Sequence, residues 1–281
     1  MRKKLKPIVV IGFFLTFFAI IFISGVYGNR ATAGKETTIT QSNTNPTSIE
    51  TIPSSSYYIT NALEMKPIID VSAWQRPSEI DYDTLSQNIS GAIVRIQSGS
   101  HTKNENTATD ENGLDKAFDT HIKEFQARNI PVAVYAYVTG NSIDSMKEEA
   151  RSFYEAANKY NPTFYWLDVE EHTMDDMNGG VEAFRQELES LGAKNIGIYV
   201  GTYFMEDHSI NVDKFDAVWI PTYGVDSGYY NAAPSTDLDY DLHQYTSRGY
   251  VNGFENYLDL NIITTLKDPN KVYRKLFTTP E

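Results

Sequence analysis

The chain has 281 residues, a formal net charge of −13 and no cysteine. This acidity argues against a nucleic-acid partner, because phosphate binding depends on Lys and Arg. The missing cysteine excludes disulfides, thiolate metal sites and cysteine nucleophiles, so the core alone must hold the fold together; hydrophobic residues, at 41% of the chain, are numerous enough for one α/β domain.

Arg2, Lys3, Lys4 and Lys6 precede an apolar run from Ile8 to Tyr27. About 20 helical residues at a rise of about 1.5 Å span a bilayer core of roughly 30 Å. The basic flank predicts that everything after residue 28 lies outside the cell. Residues 1–28 are therefore expected to be an anchor, with residues 8–27 in the membrane. The competing reading is a signal peptide cut after Ala31-Thr32-Ala33, followed by secretion. Residues 29–60, with runs such as Gln41-Ser42-Asn43-Thr44-Asn45-Pro46, have too few large apolar side chains to offset ordering entropy, which predicts a disordered linker. Residues 61–281 remain for the folded domain.

In that domain short apolar runs alternate with helical patterns. Ile68-Ile69-Asp70-Val71 reads as a strand, as does Ala92-Ile93-Val94-Arg95-Ile96. Residues 114–128 read as a helix, 131–138 as a strand, and 142–160 as a helix with Ala150, Phe153, Tyr154 and Ala157 at 3–4 spacing. Further strands are expected at Phe164–Glu170, Ile196–Val200, Ala217–Pro221 and Asp241–Tyr245, with a helix over 179–191 that stops at Gly192. Near-continuous apolar strands alternating with helices predict an irregular β/α barrel of about eight strands, with its chemistry at the C-terminal strand ends.

Carboxylates fall where that chemistry belongs. Residues i and i+2 of a strand share a face, so Asp168 and Glu170 point the same way from the end of an apolar strand. Two acids held close and partly buried raise the proton affinity of one of them, as a general acid in glycoside cleavage requires. Asp70 closes the first strand and Asp259 the stretch Tyr257-Leu258-Asp259, and both are expected at the same mouth. Among the aromatics, Tyr135, Tyr137, Tyr199 and Tyr223 are candidate sugar contacts, with Gln244 as a polar partner. Trp166 and Trp219 lie deeper along their strands and are expected to fill the barrel. His172 has no second His at a ligand spacing, so neither a metal nor any other cofactor is expected.

Three segments carry a resemblance to a known family. Asp70-Val71-Ser72-Ala73-Trp74-Gln75, Trp166-Leu167-Asp168-Val169-Glu170, and Gln244-Tyr245-Thr246-Ser247-Arg248-Gly249 with Gly253 and Leu258-Asp259-Leu260-Asn261 resemble, in order, the motifs of family 25 glycoside hydrolases, lysozymes of the N-acetylmuramidase type. The resemblance implies a barrel with an acidic groove that cuts the β-1,4 bond between N-acetylmuramic acid and N-acetylglucosamine. By position it makes Glu170 the general acid, Asp168 its partner, and Asp70 and Asp259 flanking acids. One departure is visible: many members carry histidine between two aromatics on the third strand, and here that place is Ala136. The expected partner is the peptidoglycan glycan strand, met by a monomer at the bacterial cell membrane or after secretion. A retaining hydrolase of another N-acetylated glycan, or a non-catalytic glycan-binding module, is the alternative.

Overall fold

The computed structural model describes residues 61–99 and 105–279. The expected anchor and linker lie outside the described residues. Among the described residues, no helix is long and apolar enough to cross a membrane.

Eight strands close a barrel in sequence order: β1 (Ile68–Val71), β2 (Gly91–Gln97), β3 (Val132–Tyr137), β4 (Tyr165–Val169), β5 (Ile196–Val200), β6 (Ala217–Pro221), β7 (Leu242–Gly249) and β8 (Leu258–Ile263). Strands β1 to β7 run parallel, whereas β8 is antiparallel to both its neighbours. Helices α1 (Tyr82–Ser86), α2 (Phe118–Ala127), α3 (Ile143–Ala157), α4 (Met177–Ser190), α5 (Thr202–Asp207) and α6 (Pro269–Phe277) complete the domain. No helix separates β6 from β7, and a hairpin joins β7 to β8. The irregularity expected of the barrel falls in its second half, as a change of strand direction and a loss of helices.

Local chemistry sets these boundaries. Ser142 caps α3, exchanging hydrogen bonds with Ser145, and the Asp176 carboxylate caps α4 by accepting from the Gly179 N–H. Helix α2 starts four residues later than the sequence pattern suggests. Leu114 bridges to Gln97, and Asp115 is drawn inward to accept from the N–H groups of Ala73 and Ala117 and from Arg95. Asn129, Asn161 and Asn195, at φ 59°, 50° and 59°, make left-handed turns just before β3, β4 and β5. Asn tolerates that conformation better than other side chains, so a repeated residue choice reverses the chain at one end of the barrel.

The outward faces of the strands pack on the helices through Val94, Val134, Leu167, Ile198, Phe153 and Phe184. The inward faces grade from apolar to polar along the barrel axis. Ile68 gives way to Asp70, Ile93 to Arg95, Ala133 to Tyr135, Trp166 to Asp168, and Leu242 to Gln244. Because β8 runs backwards, its series reads in reverse, from Asp259 through Asn261 to Ile263. Phe164, Trp166 and Trp219 fill the middle, and Val272, Leu276 and Phe277 of α6 close the apolar end. Full burial of such a side chain contributes about 1.5–3 kcal/mol, so this core stands in for absent disulfides. The fill is tight: a Cβ at position 197 would sit 2.4 Å from the Trp166 ring, which lies across Gly197 on the neighbouring strand.

Candidate active site

At the polar end of the barrel Asp70, Tyr135, Asp168, Glu170, Tyr199, Trp219, Tyr223, Gln244 and Asp259 line one pocket of about 180 Å³. That is below the roughly 300 Å³ at which pockets begin to enclose drug-sized ligands. It therefore accommodates one sugar unit or its substituent and leaves the rest of a chain in the open mouth. Asp168 sits near the end of β4, with Glu170 just beyond it. Asp70 and Asp259 are direct partners across the β1–β8 ladder.

A hydrogen-bond network fixes Asp70. Its Oδ2 accepts from Gln244 Nε2 at 2.9 Å and from Asn261 Nδ2 at 2.8 Å. Gln244 Oε1 in turn accepts from the hydroxyls of Tyr199 (2.9 Å) and Tyr223 (2.5 Å), and Asn261 Oδ1 accepts from Trp219 Nε1 at 2.8 Å. Asp168 is different. Its carboxyl is buried, and no protein donor among the described residues reaches Oδ1. An unmatched buried oxygen is costly and marks a place where a ligand N–H or O–H would fit.

Burial raises the proton affinity of all four acids, and neighbouring carboxylates add to it for Asp168, Glu170 and Asp259. Burial lifts Asp70 to about 6, against which the bonds from Asn261 and Gln244 pull downward. Burial and the charge on Asp70 lift Asp259 to about 8. Asp168 is raised well above the usual carboxylate range, by burial first and then by Glu170 and Asp70, with Arg95 opposing. Glu170 stands at the rim, where solvent reaches its side chain, but the surrounding walls thin its hydration. That loss of hydration, together with the charge on Asp70, raises its pKa too. The pocket thus stores protons at a pH where isolated carboxyls have lost them.

All four predicted acids meet at this mouth, but Asp259 arrives differently from the expectation. It is the second residue of an antiparallel strand, not the end of a parallel one. Tyr135, Tyr199, Tyr223 and Gln244 line the pocket as expected. Tyr137 stands outside it, with its hydroxyl 3.3 Å from Glu171. Trp219, expected only to fill the barrel, also forms part of the pocket wall. Ala136 faces the helix layer, so the departure on β3 does not touch the acids. His172 stacks on His208, with ring centroids 4.5 Å apart. Two contributors had no predicted role. Asn261 was visible in the last motif, and its signal was an amide two residues after Asp259, on the same face of the strand. Arg95 was visible as a single charge inside an apolar run. It is held by Asp115 at 3.0 Å, and its charge bears on Asp168.

A parallel-rich barrel with an acid pair at a strand end and tyrosines around it has the build of a glycoside hydrolase. The family model for glycosyl hydrolases family 25 matches residues 69–254, well over half of the chain, and the chain belongs to that family. No curated protein matches it. Among solved structures, it is 58% identical to a glycosyl hydrolase 25 of Streptococcus pneumoniae, described as a virulence factor participating in host cell invasion. That likeness covers 81% of this chain and 100% of the other, with a TM-score of 0.75. The catalytic domain of an endolysin from bacteriophage P40 of Listeria monocytogenes is 25% identical over 74% of this chain and 97% of its own, with a TM-score of 0.63. A lysozyme from Streptomyces coelicolor shares the fold at 19% identity, covering 77% of this chain and 99% of its own, with a TM-score of 0.61.

Proposed function

We propose that this domain hydrolyses peptidoglycan at the β-1,4 bond between N-acetylmuramic acid and N-acetylglucosamine. Glu170 is the general acid, giving its proton to the glycosidic oxygen as the bond to the anomeric carbon breaks. The carbonyl oxygen of the substrate's own acetamido group attacks that carbon, and Asp168 holds the acetamido N–H. The Glu170 carboxylate then takes a proton from the water that opens the ring so formed, and configuration is retained. Substrate-assisted hydrolysis of this kind is a known variant of the two-carboxylate scheme.

The observation that carries this reading is the buried, unmatched Oδ1 of Asp168 beside Glu170. It is an acceptor with no protein donor, two residues from an acid that solvent and substrate can reach. Asp70 and Asp259 flank the pair, and the charge on Asp70 helps Glu170 keep its proton. Tyr135 and Tyr223, the more open rings of the pocket, offer their faces to a pyranose, while the buried Tyr199 and Trp219 back the wall.

Digestion of purified peptidoglycan, followed by mass and reducing-end analysis of the fragments, tests the assignment. N-acetylmuramic acid at the new reducing ends is expected. N-acetylglucosamine there would move the chain to the alternative glucosaminidase reading, and no cleavage would leave a binding module. We further propose that residues 8–27 tether the domain outside the bacterial membrane, with residues 29–60 as the linker. The full-length chain should then fractionate with membranes, and release of a species beginning near Gly34 would replace the anchor with a cleaved signal.

A further inference from the structure

We infer that the β7–β8 hairpin carries a subsite for a carboxylate-bearing peptide substituent of the glycan, with Arg248 as its cation and Tyr250 and Tyr257 as its walls. This inference rests on the peptidoglycan reading and deepens it.

The hairpin stands at the mouth. Gly249 pairs with Leu258, so Arg248 and Tyr257 lie just either side of that pair. Tyr257 precedes Asp259 by two residues, the spacing that puts side chains on one face of an extended strand. Tyr250 and Tyr257 are 66% and 43% exposed, and their ring centroids are 4.8 Å apart. Exposed paired rings next to a reactive pocket are candidates for contact with substrate, and Tyr and Arg are the residues that recognition sites favour.

Arg248 gives the patch its chemistry. Its guanidinium carbon lies 5.1 Å from the centre of the Tyr257 ring, and Nη2 donates to the Tyr257 hydroxyl at 3.4 Å. A guanidinium steadied against a ring keeps N–H groups available for the two-pronged grip that suits a carboxylate. Arg76, Arg95, Arg128, Arg151 and Arg185 are each already paired with a protein carboxylate. Arg248 has no such partner within 4.0 Å among the described residues. The nearby acid is Asp226, whose field reaches Arg248. Its oxygens, however, are taken by the Thr246 hydroxyl at 2.6 Å, the Ser247 N–H at 3.0 Å and the Ser247 hydroxyl at 2.8 Å. A guanidinium with no carboxylate partner, on the hairpin that leads into the strand of Asp259, is a local reversal of sign. A neutral sugar has no use for it, whereas the stem peptides on N-acetylmuramic acid bring carboxylates to this position.

The test compares two substrates: intact peptidoglycan and the same glycan stripped of its stems by an amidase. With the full-length protein, Arg248→Ala should raise KM about 10–30-fold on the peptide-bearing glycan, the lower part of what a charge-assisted hydrogen bond supplies, with kcat unchanged. On stripped glycan the variant should match wild type, and Arg248→Lys should recover part of the loss. Equal losses on both substrates, or no loss on either, would overturn the subsite. Cleavage of neither glycan by wild type would instead defeat the functional reading. In that case binding decides: Glu170→Gln protein should prefer peptide-bearing glycan, and adding Arg248→Ala should abolish that preference, whereas a persisting preference would overturn the subsite.

Discussion

Glu170→Gln is expected to lower glycan cleavage by about 10²–10⁴-fold while leaving glycan binding in place, the usual contribution of a positioned general acid. The amide keeps the size and polarity of the carboxylic acid but has no proton to give to a leaving oxygen. It also removes a charge that lifts the proton affinity of Asp168, so the pocket loses one of its mutual repulsions. Binding should therefore hold or improve as turnover falls. Rates measured on purified peptidoglycan, alongside sedimentation of the variant with insoluble wall, separate the two effects. Near-normal turnover would move the acid role to another residue of the cluster.

Asp168→Asn should give a protein that is inactive yet more stable than wild type. Inactivity follows from losing the charge that would steady the acetamido nitrogen as it turns positive. The gain in stability follows from linkage. A carboxyl whose pKa is raised by folding binds its proton more tightly in the native state, so its contribution is fully present below the unfolded value of 3.8 and is lost as pH rises through the folded value. For Asp70 and Asp259 those folded values are about 6 and about 8. The cluster therefore costs stability increasingly between about pH 4 and pH 8. Removing one acid should recover about 1–2 kcal/mol near neutral pH, typical of relieving strain at an active site. For a domain of this size that is about 2–8 °C in Tm. Thermal melts of both proteins at pH 4 and pH 8 check the sign: the difference should be small at pH 4 and larger at pH 8. Wild type should also fail on de-N-acetylated glycan that it still binds. Efficient cleavage of that substrate would favour a covalent glycosyl ester on Asp168 over acetamido assistance.

The parts of this site that depend on local spacing were legible in the sequence. Asp168 and Glu170 share a face because strands alternate, and that follows from two residues and the apolar run before them. Asp70 at the end of β1 and the barrel itself followed from the same periodicity. What periodicity does not encode is direction and partner. Asp259 reaches the mouth only because β8 turns back, and an alternating pattern reads the same in either sense. The clamp on Asp70 joins Asn261 to a residue 191 positions earlier, and no window along the chain brings the two together. The late start of α2 has a similar origin, since the buried hydrogen bonds that Arg95 and two backbone N–H groups donate to Asp115 outweigh helix propensity.

The antiparallel last strand bears on when the enzyme comes into being. Chains emerge from the ribosome N-terminus first, so β1 to β7 are made before β8 exists. Until β8 docks, β1 and β7 are open edges, Asp70 lacks its Asn261 bond, and the pocket lacks Asp259. Joining the two ends of the domain is a contact of long sequence separation, the kind that slows folding. The seam that completes the barrel also completes the acid cluster, so a nascent or truncated chain carries Asp168 and Glu170 without the surroundings that tune them.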